Sequence, residues 1–401
     1  MATAETRKRA LKADPEEFRP DPHPGYAKYR ALSGLIDFGN GMPVVTRHED
    51  AQRLLADPRT RQVETEALEI RGIRSGALHD FYANSMLLSN PPRHAMRRAP
   101  TARAFAFKLI DAWRPRVRSL MEELLDAAQA DPEADFLEAI ASPLPARLIA
   151  EVTGVPPEDA PSFSRLVYSM TRGLGAFRDE DFPAIESAAA ELEAYVAGLL
   201  DDRRAHPQED FLTDYLARVA QAGDLTETEA RMQIATLVIG GSETTRFALT
   251  SMVGLLMRHR DQWESLCADP SLVPGAVREA LRYEPPVGTI GRIVVEPLEV
   301  DGVALGPGSI LQISLLSAQR DEALMADPER FDITREDHPK WGLSFGFGPH
   351  RCLGEALARA ELEEALSVLT ARAPGLTLAG PAPGYKGHTG IRGITPMRVR
   401  W

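Results

Sequence analysis

The sequence predicts a mainly α-helical fold with a small β part, organised as a single domain over residues 1–401. Helix-favouring stretches of Ala, Leu, Glu and Arg dominate from Arg93 to Leu249, with Ile185 to Arg204 as an example. Strand patterns return between Arg292 and Leu316. No internal repeat or low-complexity linker divides the chain.

The predicted strands are short. Gly34 to Arg47 predicts a hairpin around Gly39-Asn40-Gly41, and His48 to Ala56 predicts a helix directly after it. The Asp301-Gly302 pair is a strong hairpin signal. Three later segments are therefore expected to form one small antiparallel unit: Arg292 to Val295, Leu298 to Leu305 and Ile310 to Leu316.

Composition limits the classes of function. Apolar residues make up 44% of the chain and charged residues 26%, which is ordinary for a globular protein. A formal net charge of -12 disfavours nucleic acid as a partner. Met1 to Pro20 contains neither the apolar core of a signal peptide nor a spanning segment of about 20 apolar residues, so no membrane anchor is expected.

The two cysteines, Cys267 and Cys352, are too few for a disulfide framework or a zinc ribbon, and such usage predicts a cytoplasmic location. Cys352 lies in a glycine-rich turn from Phe345 to Gly354. Glycines let a backbone fold closely around a sulfur, and a helix beginning near Leu353 would favour its thiolate form. The alternative interpretation is a small buried hydrophobe in a loop.

A second unusual segment lies inside a long helix. Thr226 to Glu229 is a capping box, and apolar spacing then continues to about Met257, which predicts roughly 30 residues of helix. Gly240 to Thr245 (GGSETT) interrupts this apolar run with glycines, hydroxyls and a carboxylate. Such a break predicts a functional site or a local opening of the helix. A polar patch facing solvent is the alternative.

The glycine-rich turn around Cys352 has a recognisable spacing of residues. Phe345, Gly348, Cys352 and Gly354 fill every fixed place of the F-x-x-G-x-x-x-C-x-G signature, so the chain resembles the haem-thiolate cytochrome P450 monooxygenases. The resemblance extends from about His94 to the C-terminus. It implies a single-domain cytochrome P450 fold of the soluble bacterial type, with minor antiparallel sheets around haem b and Cys352 as the axial thiolate ligand of the iron.

The resemblance also assigns roles within the long helix. Gly240 to Thr245 matches the family's A/G-G-x-D/E-T-T motif. The match implies that Thr244 holds the oxygen-derived ligand, that Glu243 helps deliver protons to it, and that Gly241 lets the porphyrin approach the backbone.

Further motifs imply a salt-bridge network and haem anchors. Glu279 and Arg282 match the family's ExxR pair and Arg335 the following F-x-x-x-R segment, so a network that holds the cysteine turn is expected, although an exposed pair of this spacing would contribute only about 0.3 kcal/mol. The residues that the resemblance implies around the haem are His94, Arg98, Arg292, Phe345, Gly348, His350 and Gly354. For any one of the cations, a solvated surface charge is the alternative.

The implied activity is hydroxylation or epoxidation of a lipophilic small molecule, such as a terpenoid or steroid, with O2 and two electrons. No nucleotide-binding fingerprint is present, so a separate ferredoxin and an NAD(P)H-dependent ferredoxin reductase are expected. A basic cluster is a candidate for steering the ferredoxin: Arg93, Arg97, Arg98 and Arg103. The implied pocket residues are Met86, Leu87, Val238, Val287, Ile290 and Ile391.

Two other functions stay open at this point. One is a peroxide-driven peroxygenase or a haem-thiolate rearrangement enzyme, against which the intact Glu243-Thr244 pair argues. The other is a haem-thiolate sensor without catalytic activity. Activity with NADPH and a ferredoxin pair would distinguish all three.

Overall fold

The computed structural model describes residues 8–104, 107–175, 177–337 and 341–401, and it describes only the backbone of residues 107–111. The described residues form two compact units, each assembled from segments that are distant in the sequence. The first unit contains residues 8–63, Arg278–Cys352 and Gly387–Arg392, and the second contains the remainder. The single domain over residues 1–401 stays a prediction.

The first unit combines strands with a few short helices. Its strands are β1 (Leu11–Lys12), β2 (Leu35–Asp37), β3 (Val44–Val45), β4 (Thr60–Gln62), β5 (Thr289–Val294), β6 (Leu298–Val300), β7 (Val303–Leu305) and β8 (Ile310–Ser314). Its helices are α1 (Pro22–Leu32), α2 (His48–Ala56), α14 (Leu315–Ala318) and the part of α13 (Val273–Tyr283) from Arg278 onward.

The largest sheet has the order β1-β2-β3-β8-β5-β4. Strands β2 and β3 form the predicted hairpin, and α2 has the predicted bounds. The expected single antiparallel unit is divided: β5 pairs with β8 inside the large sheet, whereas β6 and β7 form a separate hairpin. Strand β8 also pairs in parallel with β3, so the sheet is mixed. Local turn signals predicted the hairpins, and the pairing with β3 depends on residues far away in the sequence.

The core of the first unit lies against this sheet. Leu35, Val45, Leu311 and Ile313 are all 0% exposed and belong to one apolar cluster. Leu343 is also 0% exposed in that cluster, two residues before Phe345. The core therefore fixes the chain directly ahead of the cysteine turn.

The second unit is almost entirely helical. Its helices are α3 (Glu66–Glu69), α4 (Ala77–Asn84), α5 (Arg93–Ala104), α6 (Phe107–Ala128), α7 (Pro143–Val152), α8 (Ala160–Thr171), α9 (Phe182–Ala205), α10 (Phe211–Ala222), α11 (Glu227–Arg258), α12 (Arg260–Ala268) and α15 (Glu355–Arg372). Its short strands are β9 (Thr377–Leu378), β10 (Tyr385–Lys386), β11 (Gly393–Ile394) and β12 (Val399–Arg400), and β9 pairs with β12 and β10 with β11.

Helix α11 is the predicted long helix, with 32 residues. The predicted capping box is present: the Glu229 N–H donates to Thr226 Oγ1 at 3.2 Å, and the Thr226 N–H donates to Glu229 Oε2 at 2.9 Å. Helix α11 packs against α5, α7, α8, α9 and α15 within this unit. Within the described ranges, no helix combines the length and apolarity needed to cross a membrane.

Candidate active site

The cysteine turn has the tight backbone that its glycines predicted. Gly346 and Gly348 have φ angles of 69° and 70°, a region that suits glycine best. The Cys352 N–H donates to the Phe345 carbonyl at 2.8 Å and so closes the turn. The side chain of Phe345 is buried, whereas Cys352 is exposed and lies outside any disulfide. The alternative of a small buried hydrophobe is therefore wrong.

The end of the signature differs in detail from the prediction. Helix α15 begins at Glu355, two residues after the expected start near Leu353, and Gly354 is its N-cap. The φ of Gly354 is -82°, which any residue adopts, so backbone conformation does not require a glycine there. His350, two residues before Cys352, is half-buried in the same turn.

Arg292 lies beside the cysteine turn. It is the fourth residue of β5 rather than the first residue of a strand, because the strand begins earlier, at Thr289. Arg292 Nη2 donates to the Leu55 carbonyl at 2.9 Å. A Cβ on Gly348 would lie 2.9 Å from that same carbonyl oxygen. One carbonyl of α2 is thus shared by the predicted anchor and the turn that carries Cys352.

The environment of Arg292 is unusual for a cation. Its side chain is buried, with the residue 3% exposed, and burial lowers the pKa of Arg292 to about 10. No residue in the described part of the chain accepts a hydrogen bond from its Nε, and its recorded acceptor is a neutral carbonyl. A buried cation without a carboxylate is costly, so this side chain suits an anionic partner.

The predicted salt-bridge network is present and buried. Arg282 donates to both carboxylate oxygens of Glu279 at 2.7 and 2.8 Å, and each side chain is 1% exposed. Arg335 Nε lies 3.5 Å from Glu279 Oε1. Arg282 also donates to the carbonyls of Gln319 and Pro328, at 3.2 and 2.9 Å. The alternative of an exposed surface pair is wrong.

The network reaches the start of the cysteine turn through Gln319. The Ser344 hydroxyl donates to Gln319 Oε1 at 2.8 Å, and Ser344 directly precedes Phe345. The guanidinium of Arg278 lies 6.0 Å from the ring centroid of Trp341. These contacts support the predicted role of the network in holding the turn.

In the second unit, the centre of α11 is open at Gly240. Gly240 is exposed, and no heavy atom of the described residues lies within 4 Å of the position that a Cβ would take there. Thr244 follows four residues later on the same face. Gly241 instead faces α7, because its Cβ position lies 3.6 Å from the Ile149 side chain. The glycine that faces open space is therefore Gly240, one residue before the predicted Gly241.

Helix α11 continues without a break through this motif, so the expected local opening is absent from the structure. The Thr244 hydroxyl donates to the Gly240 carbonyl at 3.0 Å and keeps the ladder closed. Glu243 forms an ion pair with Arg246 at 2.5 Å, with side chains 13% and 20% exposed. Arg246 stacks on the Tyr168 ring at 4.4 Å. The i,i+3 spacing in the sequence is the signal that would have identified Arg246.

Helix α5 carries the other two predicted anchors, His94 and Arg98, one turn apart. His94 is 4% exposed and Arg98 is half-buried, so the solvated-surface alternative is wrong for His94. Two arginines of the predicted ferredoxin-steering cluster are paired with a carboxylate of their own unit. Arg97 is buried and donates to Glu229 Oε1 at 3.0 Å, and Arg93 Nε donates to the same oxygen at 2.6 Å.

That arginine pair anchors a helix instead of facing a partner. Burial alone would raise the pKa of Glu229, but hydrogen bonds from Arg93, Thr226 and Arg97 outweigh it and lower the pKa to about 2. Among the four arginines of the proposed cluster, Arg103 is the exposed one.

The predicted pocket residues in the second unit need one correction. Val238 is 0% exposed and lies about 160° around the helix from Gly240, so it faces the packed interior. Leu237 and Thr236 lie on the face of Gly240 and keep 6% and 7% exposure. A helical-wheel count from Gly240 would have selected them. Outside α11, two further predicted residues differ in exposure: Met86 is 5% exposed and Leu87 38%.

The predicted pocket residues in the first unit lie next to one another. Val287 and Ile391 are partners in an antiparallel bridge. Val287 and Ile290 each pack one side against the apolar core of this unit while keeping part of their surface exposed. Ile391 is also partly exposed.

A buried acid outside these motifs gives a testable pH dependence. Glu361 on α15 is 2% exposed, and no described residue donates a hydrogen bond to its Oε2. Burial raises the pKa of Glu361 well above its ordinary value. The unfolded state therefore loses this proton first, so Glu361 destabilises the fold above pH about 4.3 and has no such effect below it.

We expect Glu361→Gln to increase the free energy of unfolding at pH 7.5 and to change it little at pH 4, as measured by urea denaturation. Glu363→Gln on the same helix is the matched control. It removes an ion pair with Arg114 Nη2 of 2.7 Å and should lower stability at pH 7.5. Equal effects of the two substitutions at pH 7.5 would contradict the assignment of Glu361.

Comparisons with known proteins agree with this site. The cytochrome P450 family model matches residues 162–269 and 267–370. The plant-inducible cytochrome P450-pinF1 of Rhizobium radiobacter is 41% identical over 94% of this chain and 90% of its own length. Nocardicin C N-oxygenase of Nocardia uniformis subsp. tsuyamanensis is 36% identical over 95% of this chain and 96% of its own length. The solved structure of P450BioI with a hexadec-9Z-enoic acid ligated acyl carrier protein covers 97% of this chain and 100% of its own, at 29% identity and a TM-score of 0.89.

The chain therefore belongs to the cytochrome P450 family. Members of this family bind haem with a cysteine thiolate ligand, and the named relatives are monooxygenases, so the chain is a haem enzyme of the oxygenase type. The mainly helical fold with small sheets, predicted from the sequence, is confirmed.

The residues present fit that cofactor. In the first unit, Cys352 offers an exposed sulfur, and Arg292 is a buried cation suited to a carboxylate such as a haem propionate. In the second unit, the Cβ position of Gly240 has no described atom within 4 Å, although most residues around it on α11 are buried. A flat ring can approach a helix backbone at such a position.

Proposed function

We propose that this enzyme uses O2 and two electrons from a separate redox partner to hydroxylate or epoxidise a lipophilic small molecule, and that the thiolate of Cys352 would hold the haem iron. The observation that carries the proposal is that Cys352 is exposed in a closed turn beside Arg292. Cys267 is the poorer candidate, because it is half-buried on α12 and burial raises the pKa of its thiol. The thiolate, not the thiol, binds iron.

Thiolate-ligated haem, when bound, supplies the cleavage of the O–O bond by pushing electron density onto iron. The chain's own residues then have to place the substrate, exclude water and supply protons. The Thr244 hydroxyl lies on the open face beside Gly240, and a rotation of its side chain would exchange the Gly240 carbonyl for a ligand on that face. Thr244 is the group proposed to donate a hydrogen bond there.

Glu243 is proposed to supply Thr244 with protons after exchanging its partner Arg246. A groove near this ion pair is the proposed source of water. Arg246 contacts Tyr168 and lies 3.5 Å from Ser142 Oγ. Both Tyr168 and Ser142 line this groove of ≈ 620 Å³, which also includes Glu138. Water from the groove is proposed to reach Glu243 when the Arg246 side chain moves.

Electrons are proposed to come from a ferredoxin and an NAD(P)H-dependent ferredoxin reductase. The two arginines paired with Glu229 are less suited to steering such an acidic protein, since both are bound to one carboxylate of the second unit and the side chain of Arg97 is only 8% exposed. Arg103 is exposed, and it remains the proposed residue for electrostatic steering of the ferredoxin. A bacterial, cytoplasmic setting belongs to the same proposal. The bacterial relatives support the first part, and the two cysteines outside any disulfide support the second.

The proposed substrate is apolar, of the terpenoid or steroid kind. In support, Val287, Ile290 and Ile391 present apolar surface side by side in the first unit. Relatives with apolar substrates or ligands include the steroid C26-monooxygenase of Mycobacterium tuberculosis (strain ATCC 25618 / H37Rv), 34% identical over 73% of this chain. The solved structure of CYP267B1 in complex with myristic acid, 32% identical over 97% of this chain with a TM-score of 0.87, is another.

The experiment that tests this function uses the holoenzyme with a ferredoxin, its reductase and NADPH. Lipophilic compounds are first selected by the change in haem spin state that they cause, and each is then incubated with isotopically labelled O2. Product that contains one labelled oxygen atom is the expected result. Product formed only with added peroxide would replace the proposal with a peroxygenase. No product in either assay, with the haem intact, would indicate a haem-thiolate sensor without catalytic activity.

A further inference from the structure

The turn from Gly387 to Arg392 is bound closely to the segment after α13. The Gly288 N–H donates to the Gly390 carbonyl at 2.7 Å, and the Arg392 N–H donates to the Pro286 carbonyl at 2.9 Å. The Gly390 N–H donates to Thr289 Oγ1 at 3.0 Å. These three bonds hold the two segments in register, with Val287 opposite Ile391 as bridge partners.

Their contact depends on a glycine. A Cβ at position 288 would lie 2.4 Å from the carbonyl oxygen of His388, closer than real atoms approach. The φ of Gly288 is not in the left-handed region, so close packing rather than backbone conformation requires glycine here. A side chain at position 288 would therefore push the two segments apart.

The C-terminal end of the turn, at Arg392, is held by a buried ion pair. Arg392 Nη1 donates to Glu284 Oε2 at 2.7 Å and to the Pro285 carbonyl at 3.1 Å, and its side chain is 0% exposed. Glu284 is 4% exposed, and its other oxygen, Oε1, lies 2.8 Å from His23 Nε2 and 3.4 Å from Arg320 Nη2. Both carboxylate oxygens are thus held by charged or polar partners inside the first unit.

The charges of this cluster bind one another firmly. Burial alone would raise the pKa of Glu284, but His23, Arg392 and Arg320 outweigh it and hold the pKa at about 2. Glu284 is therefore ionised at neutral pH, where it pairs with Arg392.

The N-terminal end of the turn is held separately, by the packing of His388 against aromatic rings. His388 packs among the rings of Phe18, Tyr26 and Phe38, with centroid distances of 6.0, 6.1 and 5.8 Å. Tyr26 Oη lies 3.2 Å from His388 Nδ1. The turn is thus fixed at both ends, and Ile391 lies between the two attachments.

We propose that the buried Glu284–Arg392 pair, supported by His23 and Arg320, positions Ile391 opposite Val287 and thereby sets the size of the substrates that the enzyme accepts. The inference rests on the proposed function, in which Val287, Ile290 and Ile391 form part of the pocket wall. Glu284 and Arg392 are positioning residues, since they act through the turn and do not face the substrate.

The variant Arg392→Lys keeps the charge, but its ammonium sits on a shorter, flexible stem and does not reproduce the position of Nη1 between Glu284 Oε2 and the Pro285 carbonyl. Glu284→Gln keeps a hydrogen-bond acceptor and removes the charge. Arg53→Lys is the matched control in the same unit, since Arg53 makes a partly exposed ion pair of 2.6 Å with Asp50. All three are prepared as holoenzymes.

The first readout is amide hydrogen exchange. Faster exchange is expected at Gly390 and Arg392 in both cluster variants, and unchanged exchange in Arg53→Lys. The second readout is the spectral dissociation constant of two haem-binding probes, imidazole and the bulkier 4-phenylimidazole. We expect the constant for imidazole to stay within about twofold and that for 4-phenylimidazole to change by about tenfold in the cluster variants, the range that one displaced apolar group produces.

Unchanged amide exchange would overturn the proposal, because the pair would not hold the turn. Faster exchange with an unchanged 4-phenylimidazole constant would overturn it too, because the turn would not shape the pocket. Should neither cluster variant incorporate haem, Ile391→Phe decides, with weaker 4-phenylimidazole binding expected and unchanged binding contradicting the proposal. A wild-type protein that gives no imidazole shift would instead refute the proposed haem function itself.

Discussion

Replacing Thr244 with alanine should leave haem content and substrate affinity unchanged while product formed per NADPH falls by about tenfold or more. The hydroxyl is the group on the open face of α11 beside Gly240, and a positioned proton donor contributes about 10²–10⁴-fold to a rate. Electrons that no longer reach product should appear as hydrogen peroxide or water. Product, NADPH and peroxide are measured in the same reaction.

Two variants of α11 serve as controls for that result. Thr244→Ser keeps the hydroxyl and should retain most of the coupling between NADPH and product. Thr245→Ala removes a neighbouring hydroxyl that is 3% exposed and points about 100° away around the helix, so coupling should stay near the wild-type value. Full coupling in Thr244→Ala would remove this residue from the proton route.

Replacing Arg282 with lysine should cost about 1.5–3 kcal/mol of stability, which is a sizeable part of the marginal stability of a folded protein. The substitution breaks a bidentate pair with Glu279 in which both side chains are 1% exposed, and it removes the donors to Gln319 and Pro328. Because Gln319 also accepts from Ser344, the cysteine turn should loosen. The urea midpoint and the ratio of haem to protein are the measurements, and both should fall.

Arg218→Lys is the matched control for Arg282→Lys. Arg218 pairs with Asp214 on α10 at 2.8 Å, but the side chains are 33% and 43% exposed. An exposed pair of this kind contributes between about 0 and 1 kcal/mol, so the urea midpoint and the haem content should barely change. Equal midpoints for the two variants would show that the Glu279–Arg282 pair does not hold the fold.

Local signals in the sequence predicted the elements that local chemistry determines. The bounds of α2, the β2–β3 hairpin and the capping box of α11 all depend on residues within a few positions of one another. The Glu279–Arg282 pair has the same property. Its burial, in contrast, depends on packing against a segment that begins at Gln319.

Contacts between distant segments explain the errors. Arg97 looks like a surface cation in the sequence, and its partner Glu229 follows 132 residues later, so its burial and pairing could not be predicted. The prediction of Val238 as a pocket residue was wrong for another reason. The central part of α11 is apolar on nearly all sides, so only the position of Gly240 identifies its open face.

The bond between Cys352 sulfur and haem iron is the claim on which the proposed function depends. It is tested most directly by the absorption spectrum of the ferrous carbon monoxide adduct of the wild type, of Cys352→Ala and of Cys267→Ala. The account predicts the red-shifted Soret band of thiolate ligation in the wild type and in Cys267→Ala, and its loss in Cys352→Ala. A natively folded Cys352→Ala protein that keeps this band would contradict it.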